Sequence, residues 1–131
     1  MPHATATDGV KLYYEETGDG PPILFIHEFA GDWRAWEPQV SHFSRRRRCI
    51  VYSARGYPGS DVPESIESYS QDIARADALA VLDHLGIDKA VFVGTSMGGL
   101  MTMLLAQAQP ERIAAAVLND VGPVLETAGL D

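Results

Sequence analysis

The chain is short of several things, and each shortage narrows what it can be. Only one of its 131 residues, Cys49, is a cysteine. No disulfide can close within the chain, and a thiol in the apolar run Cys49-Ile50-Val51-Tyr52 reads as a small buried hydrophobe. No apolar run approaches the roughly 18 residues that a membrane span needs. The first segment, Met1 to Gly9, has neither a basic stretch nor an apolar core, so no signal peptide is expected. Together these absences predict a cytoplasmic protein. Positive charge is also scarce: 10 Lys and Arg against 18 Asp and Glu leave a net charge of −8. That balance opposes nucleic acid and anionic membrane as partners. Four of the cations crowd into Arg45-Arg46-Arg47-Arg48. They follow an amphipathic helical segment, where cations suit solvent and the negative end of the helix, and no second basic cluster joins them. The rest, 46% apolar and 21% charged, is the composition of an ordinary globular domain, long enough to bury about two-thirds of its unfolded surface.

What is present centres on Val91-Phe92-Val93-Gly94-Thr95-Ser96-Met97-Gly98-Gly99-Leu100. A β-branched apolar run enters Gly-x-Ser-x-Gly, and a helix-forming run from Met101 to Gln109 leaves it. The pattern predicts strand, abrupt turn and helix, with Ser96 at the apex. Such a turn needs small residues two places to either side, so that the strand and helix backbones can pass closely; Gly94 and Gly98 fill those places. The serine hydroxyl then stands above the end of a sheet, and the Met97 amide points to where an oxyanion would form. The alternative is a glycine-rich turn with an incidental serine. A dinucleotide fingerprint needs Gly-x-Gly-x-x-Gly and a phosphate loop needs Gly-Lys-Ser/Thr; neither is present.

The remaining elements follow from periodicity and punctuation. Asp8-Gly9 between strand-forming runs predicts a hairpin with a two-residue turn. Ile23 to Ile26 is a continuous apolar run suited to a strand buried on both faces. It ends in the turn His27-Glu28-Phe29-Ala30-Gly31, after which Asp32 can cap a helix carrying Trp33, Trp36, Val40 and Phe43. Cys49 to Tyr52 is the next strand, followed by the loop Arg55 to Asp61. Ser68-Tyr69-Ser70-Gln71 resembles a capping box that opens a helix to Leu85, burying Ile73, Ala76, Leu79, Ala80 and Leu82. Pro110 ends the helix after Ser96, and Ile113 to Leu118 is a last buried strand. After the hairpin, strands alternate with helices. The class is therefore α/β: a mostly parallel sheet with helices on both faces.

On these residues the chain resembles the N-terminal half of an α/β-hydrolase-fold enzyme, from about Thr5 to Asp131. His27 stands where that family carries a His-Gly turn after its third strand. Arg55-Gly56 through Ser60 resembles the loop after its fourth strand, and Gly94-Thr95-Ser96-Met97-Gly98 its nucleophile elbow. Leu118-Asn119-Asp120-Val121-Gly122-Pro123 resembles the end of strand six in smaller esterase, lactonase and carbon–carbon hydrolase members. The resemblance implies strands one to six of an incomplete fold, with residues 1–121 in the core domain and 122–131 beginning a lid linker. It implies Ser96 as nucleophile, the Met97 and Phe29 amides as oxyanion donors, and His27 as a loop-holding structural residue. It implies no cofactor and no metal. Glu28 and Pro58 stand where glycines are common in the family. Epoxide hydrolases and haloalkane dehalogenases carry Asp where Ser96 stands, which disfavours both; a cofactor-free perhydrolase shares the serine triad.

One scarcity remains, and it is positional. The family's triad runs serine, acid, histidine, yet His3, His27, His42 and His84 all precede Ser96. Asp120 is a candidate acid, because some members place the acid after strand six; the alternative is that it hydrogen-bonds its own Asn-Asp-Val-Gly-Pro turn. Losing the base of a serine triad costs on the order of a million-fold in turnover. The expectation is an ester or lactone hydrolase completed by its C-terminal half, as a second chain that brings the histidine, with this chain inactive alone. The other expectation is a non-catalytic module of the same fold that binds a ligand or partner.

Overall fold

The computed structural model describes residues 2–119. Six strands form one sheet: β1 (His3–Thr5), β2 (Lys11–Thr17), β3 (Pro22–Ile26), β4 (Arg48–Tyr52), β5 (Ala90–Thr95) and β6 (Ile113–Asn119), in the order β1-β2-β4-β3-β5-β6. β2 runs antiparallel to β1 and β4, while β4, β3, β5 and β6 are parallel. Three α-helices connect them: α1 (Glu37–Phe43), α2 (Gln71–His84) and α3 (Met97–Ala108). None is long and apolar enough to cross a membrane.

Alternation along the central strands divides the core in two, because successive strand side chains point to opposite faces. Ile23, Phe25, Cys49 and Val51 pack with Trp36 and Val40 on the α1 side. Leu24, Ile26, Ile50, Tyr52 and Phe92 pack on the other side with Ala78, Val81 and Leu82 of α2 and Met101 and Leu105 of α3. Helices therefore cover both faces, as the alternating pattern implies.

Five local expectations change. The first hairpin has three loop residues, not two: the Ala6 amide donates to Val10 O at 2.8 Å, and Gly9 takes the left-handed position at φ 89°. A turn closed by a left-handed residue is the usual three-residue solution, and Asp-Gly serves it as well as the two-residue one. The cap of α2 is Ser70, whose hydroxyl accepts from the Ile73 amide at 3.1 Å, not Ser68. Its buried stripe holds Asp77, Ala78, Leu79, Val81 and Leu82, so Leu79 and Leu82 lie where expected, while Ala76 is exposed. Alanines at 74, 76, 78 and 80 give no hydrophobic direction, and the acid at 77 hides the true face. Asp32 caps a short 3-10 turn, Trp33–Trp36, that leads into α1. Finally, β6 is the outermost strand among the described residues, with Val117 55% and Leu118 40% exposed. An apolar run identifies a parallel strand but does not say that both its faces are covered.

The position of the buried stripe can be tested by adding volume at two alanines. Ala78→Leu should lower stability by about 1–3 kcal/mol through overpacking against the sheet. Ala76→Leu should stay within about 0.5 kcal/mol, both read from urea unfolding midpoints; equal effects would mean that α2 is rotated from this position.

Candidate active site

The site begins where β5 hands over to α3. Thr95 ends the strand, Met97 begins the helix, and Ser96 makes the step between them at φ 53° and ψ −116°. It is the only non-glycine with positive φ among the described residues. Such a conformation costs an L residue about 1–3 kcal/mol and persists only when its surroundings over-determine it. Here two glycines do so. A Cβ on Gly94 would lie 2.6 Å from Gly98 O, and one on Gly98 would lie 2.6 Å from Ile26 O. Thr102, buried one turn on, donates to Gly98 O at 2.8 Å. The Ser96 carbonyl accepts from the Leu100 amide at 3.1 Å, while its hydroxyl makes no capping bond to the helix. The Met97 amide is the first of α3 and has no acceptor within the helix.

Parallel register brings the second piece alongside. Ile26 is paired with Gly94, so the turn after β3 leaves the sheet beside the elbow, at the carboxyl ends of the strands. His27 is buried within that turn and uses both ring nitrogens. Nδ1–H donates to Glu28 O at 2.8 Å, and Nε2 accepts from the Ala54 amide at 3.0 Å. A carbonyl can only accept and an amide can only donate, so the neutral Nδ1–H tautomer is fixed. Burial pushes the imidazole below its ordinary value, with the Glu28 carbonyl opposing. Glu28 O also accepts from the Gly31 amide at 3.0 Å, which closes the turn without a positive φ at Glu28. This explains why an ordinary residue is tolerated where a glycine is common. Phe29, next along, is 74% exposed.

The loop after β4 supplies the third wall and holds what sequence reasoning missed. Arg55 is buried and donates from all five N–H groups. Two bonds go to Asp77 at 2.7 and 2.8 Å, two to Asp8 at 2.8 and 3.0 Å, and one to Ser68 O at 3.0 Å. It ties the first hairpin, its own loop and α2 together. The two carboxylates raise the Arg55 pKa further, so the guanidinium stays charged. Burial pushes the Asp77 carboxyl up against the pull of Arg55, while the hydrogen bonds from Arg55 hold Asp8 below the usual range. An acid inside an otherwise apolar helix face was the available signal, since a buried charge needs a partner. Tyr57, from the same loop, sets its ring edge-on to His27 at 4.6 Å.

Between these walls lies a cavity of about 740 Å³, reaching from the β3 turn and Gly98 across to α2. No group of three or more candidate metal ligands occurs among the described residues. The structure thus places Ser96, Gly94, Gly98, Met97, His27 and Phe29 around one end of the sheet. Asp120 and the segment 122–131 lie outside the described residues. None of the four histidines is aligned as a base for Ser96. His27 is fully engaged, His84 packs on Tyr14, His3 reaches Gly59 O, and His42 packs on Phe43 of α1.

A sequence profile described as alpha/beta hydrolase fold matches residues 21–129. The chain belongs to that family. It is 38% identical over 106 residues to Epoxide hydrolase 1 of Caenorhabditis elegans, an alignment covering 79% of this chain and 26% of that protein. A mutant epoxide hydrolase of Vigna radiata superposes with a TM-score of 0.87 at 31% identity, covering 92% of this chain and 38% of that one. Est816, described as an N-acyl homoserine lactone degrading enzyme, superposes with a TM-score of 0.85 at 34% identity, covering 98% of this chain and 53% of that one. The chain therefore spans only part of the length of the relatives it matches.

Two outcomes check this geometry. Ser96→Gly should be about 1–3 kcal/mol more stable than Ser96→Ala, because both remove the hydroxyl and only glycine relieves the backbone; equal melting temperatures would contradict the strain. Because the folded state lowers the His27 pKa below 6.5, the unfolded state binds more protons there. Its contribution to stability is full above that pH and drains away as the pH falls toward the histidine's own lower value. His27→Gln should flatten that acid-side slope in unfolding experiments.

Proposed function

We propose that this chain carries the nucleophilic half of a serine hydrolase acting on small carboxylic esters or lactones through an acyl-enzyme. The observation that carries this is the strained Ser96, held by Gly94 and Gly98 between β5 and α3. In this reading Ser96 Oγ attacks the ester carbonyl. The oxyanion forms beside the Met97 amide, whose α3 N-terminus favours negative charge, with the Phe29 amide as second donor. The alcohol leaves, and water then releases the acid from the acyl-serine. A serine hydroxyl needs a base for this. The histidines among the described residues are engaged elsewhere, so the reading assigns the base to a C-terminal segment or second chain, with Asp120 as a candidate acid. The exposed apolar β6 is the surface against which such a segment would complete the sheet.

The names of the epoxide hydrolase relatives raise a competing chemistry, and the nucleophile argues against it. A carboxylate that opens an epoxide forms an ester, which water can cleave. A serine oxygen doing the same would form an ether, with no carbonyl for water to attack. Serine at this position therefore fits acyl transfer, and the lactone-degrading description of Est816 supports the same direction. Carbon–carbon hydrolysis or perhydrolysis would use the same serine. The second reading, a non-catalytic binding module, is favoured by one observation: no described histidine serves Ser96.

A fluorophosphonate probe separates the two readings, because labelling requires an activated hydroxyl. Native mass spectrometry of purified protein should show a co-purifying chain, and that assembly should label at Ser96, with labelling and esterase turnover abolished in Ser96→Ala. Full activity of that variant would remove the serine from the mechanism, and an unlabelled assembly would favour the binding module.

A further inference from the structure

The cavity beside the elbow has a charge pattern that says what it can hold. Its rim is Phe29, Val62 and Tyr69, and its inner wall includes Ala74 of α2 and Gly98 and Met101 of α3. Phe29 and Val62 are 74% and 65% exposed and present apolar surface at the mouth. Two basic side chains also line it, Arg55 and His27, and neither has a donor to spare. Arg55 spends all five N–H groups on Asp77, Asp8 and Ser68 O. His27 spends Nδ1–H on Glu28 O and accepts at Nε2. The Asp77 carboxylate is held on both oxygens by Arg55. The Tyr69 hydroxyl is turned to Pro63 O at 2.7 Å, and Ser70 caps α2.

We propose that this cavity receives an uncharged, apolar acyl tail and discriminates against tails that end in a carboxylate. The proposal rests on the Ser96 reading for the word acyl, and it adds the tail's chemistry. A carboxylate entering the cavity would lose its water and find no free cation among the described lining residues, which is the costly arrangement for an ion. An alkyl or aryl group loses only apolar hydration and gains contact with the rim. Ala74 sets the depth, since it is the small side chain on the α2 wall.

Binding, not turnover, is the direct test, because it does not require an active serine. The full chain is titrated by calorimetry with octanamide and with the same amide ending in a carboxylate. Octanamide should bind saturably, and the carboxylate analogue at least about tenfold more weakly. Ala74→Trp should weaken octanamide by about tenfold or more by filling the cavity. Val62→Lys, on the exposed rim, should narrow the gap between the two amides by supplying a free cation. Circular dichroism confirms folding of both variants. Equal affinities, tighter binding of the carboxylate, no binding of either, or a folded Ala74→Trp that binds unchanged would each overturn the proposal. Fluorophosphonate labelling of the assembly is read separately. Octanamide binding without labelling would remove the serine chemistry and leave the cavity; labelling without binding would do the reverse.

Discussion

The close passage of three backbones at Gly94 and Gly98 is the constraint on which the rest of this molecule depends. β3, β5 and the first turn of α3 meet there at distances that leave no room for a Cβ on either glycine. The contact holds Ser96 in a conformation it would not adopt alone. It also fixes how far the turn after β3 stands from the helix N-terminus. Because Ile26 pairs with Gly94, the segment from His27 to Gly31 must leave the sheet beside the serine. The helix start and the turn are thus brought to one place by register and by the absence of two methyl groups.

The second organising feature is the saturated guanidinium of Arg55. Breaking one side of such a buried pair typically costs about 3–5 kcal/mol, because it leaves an uncompensated charge. Here the same side chain joins the hairpin through Asp8, the loop after β4, and α2 through Asp77. These are the walls of the cavity. Its charged groups, Arg55 and Asp77, answer one another, which leaves the cavity without a free charge among its described lining residues. Rigidity in the wall and neutrality in the cavity have the same origin.

His27 shows how a chemically versatile residue becomes structural. Both of its nitrogens are committed to backbone groups, one in its own turn and one at the start of the loop after β4. An imidazole in that position cannot accept the proton of Ser96 without giving up the bond that orders its loop. Among the described residues, the shortage of a histidine base for the serine is therefore physical as well as positional. It concerns what the four histidines are doing as much as where they lie in the chain.

Much of this was legible in the residues themselves. The α/β class, the parallel order and the elbow follow from local rules: β-branched runs, Gly-x-Ser-x-Gly, and proline and capping serines at helix ends act within a few residues of themselves. Other features were not legible, because they depend on partners distant in the chain. The leucines of the α2 stripe were readable, but Asp77 on the same face was not, because its burial depends on Arg55 reaching across 22 residues. The loop length of the first hairpin was ambiguous because Asp-Gly suits two turn geometries. The exposure of β6 depends on what lies beside it, which an apolar run does not encode. The sequence by itself determined the elements and the turn that carries Ser96, since those are properties of neighbours along the chain. Only the tertiary structure decided that His27 is spent, that Arg55 has no donor to spare and that a cavity reaches the elbow at Gly98. Saturation and enclosure are properties of groups that meet only on folding.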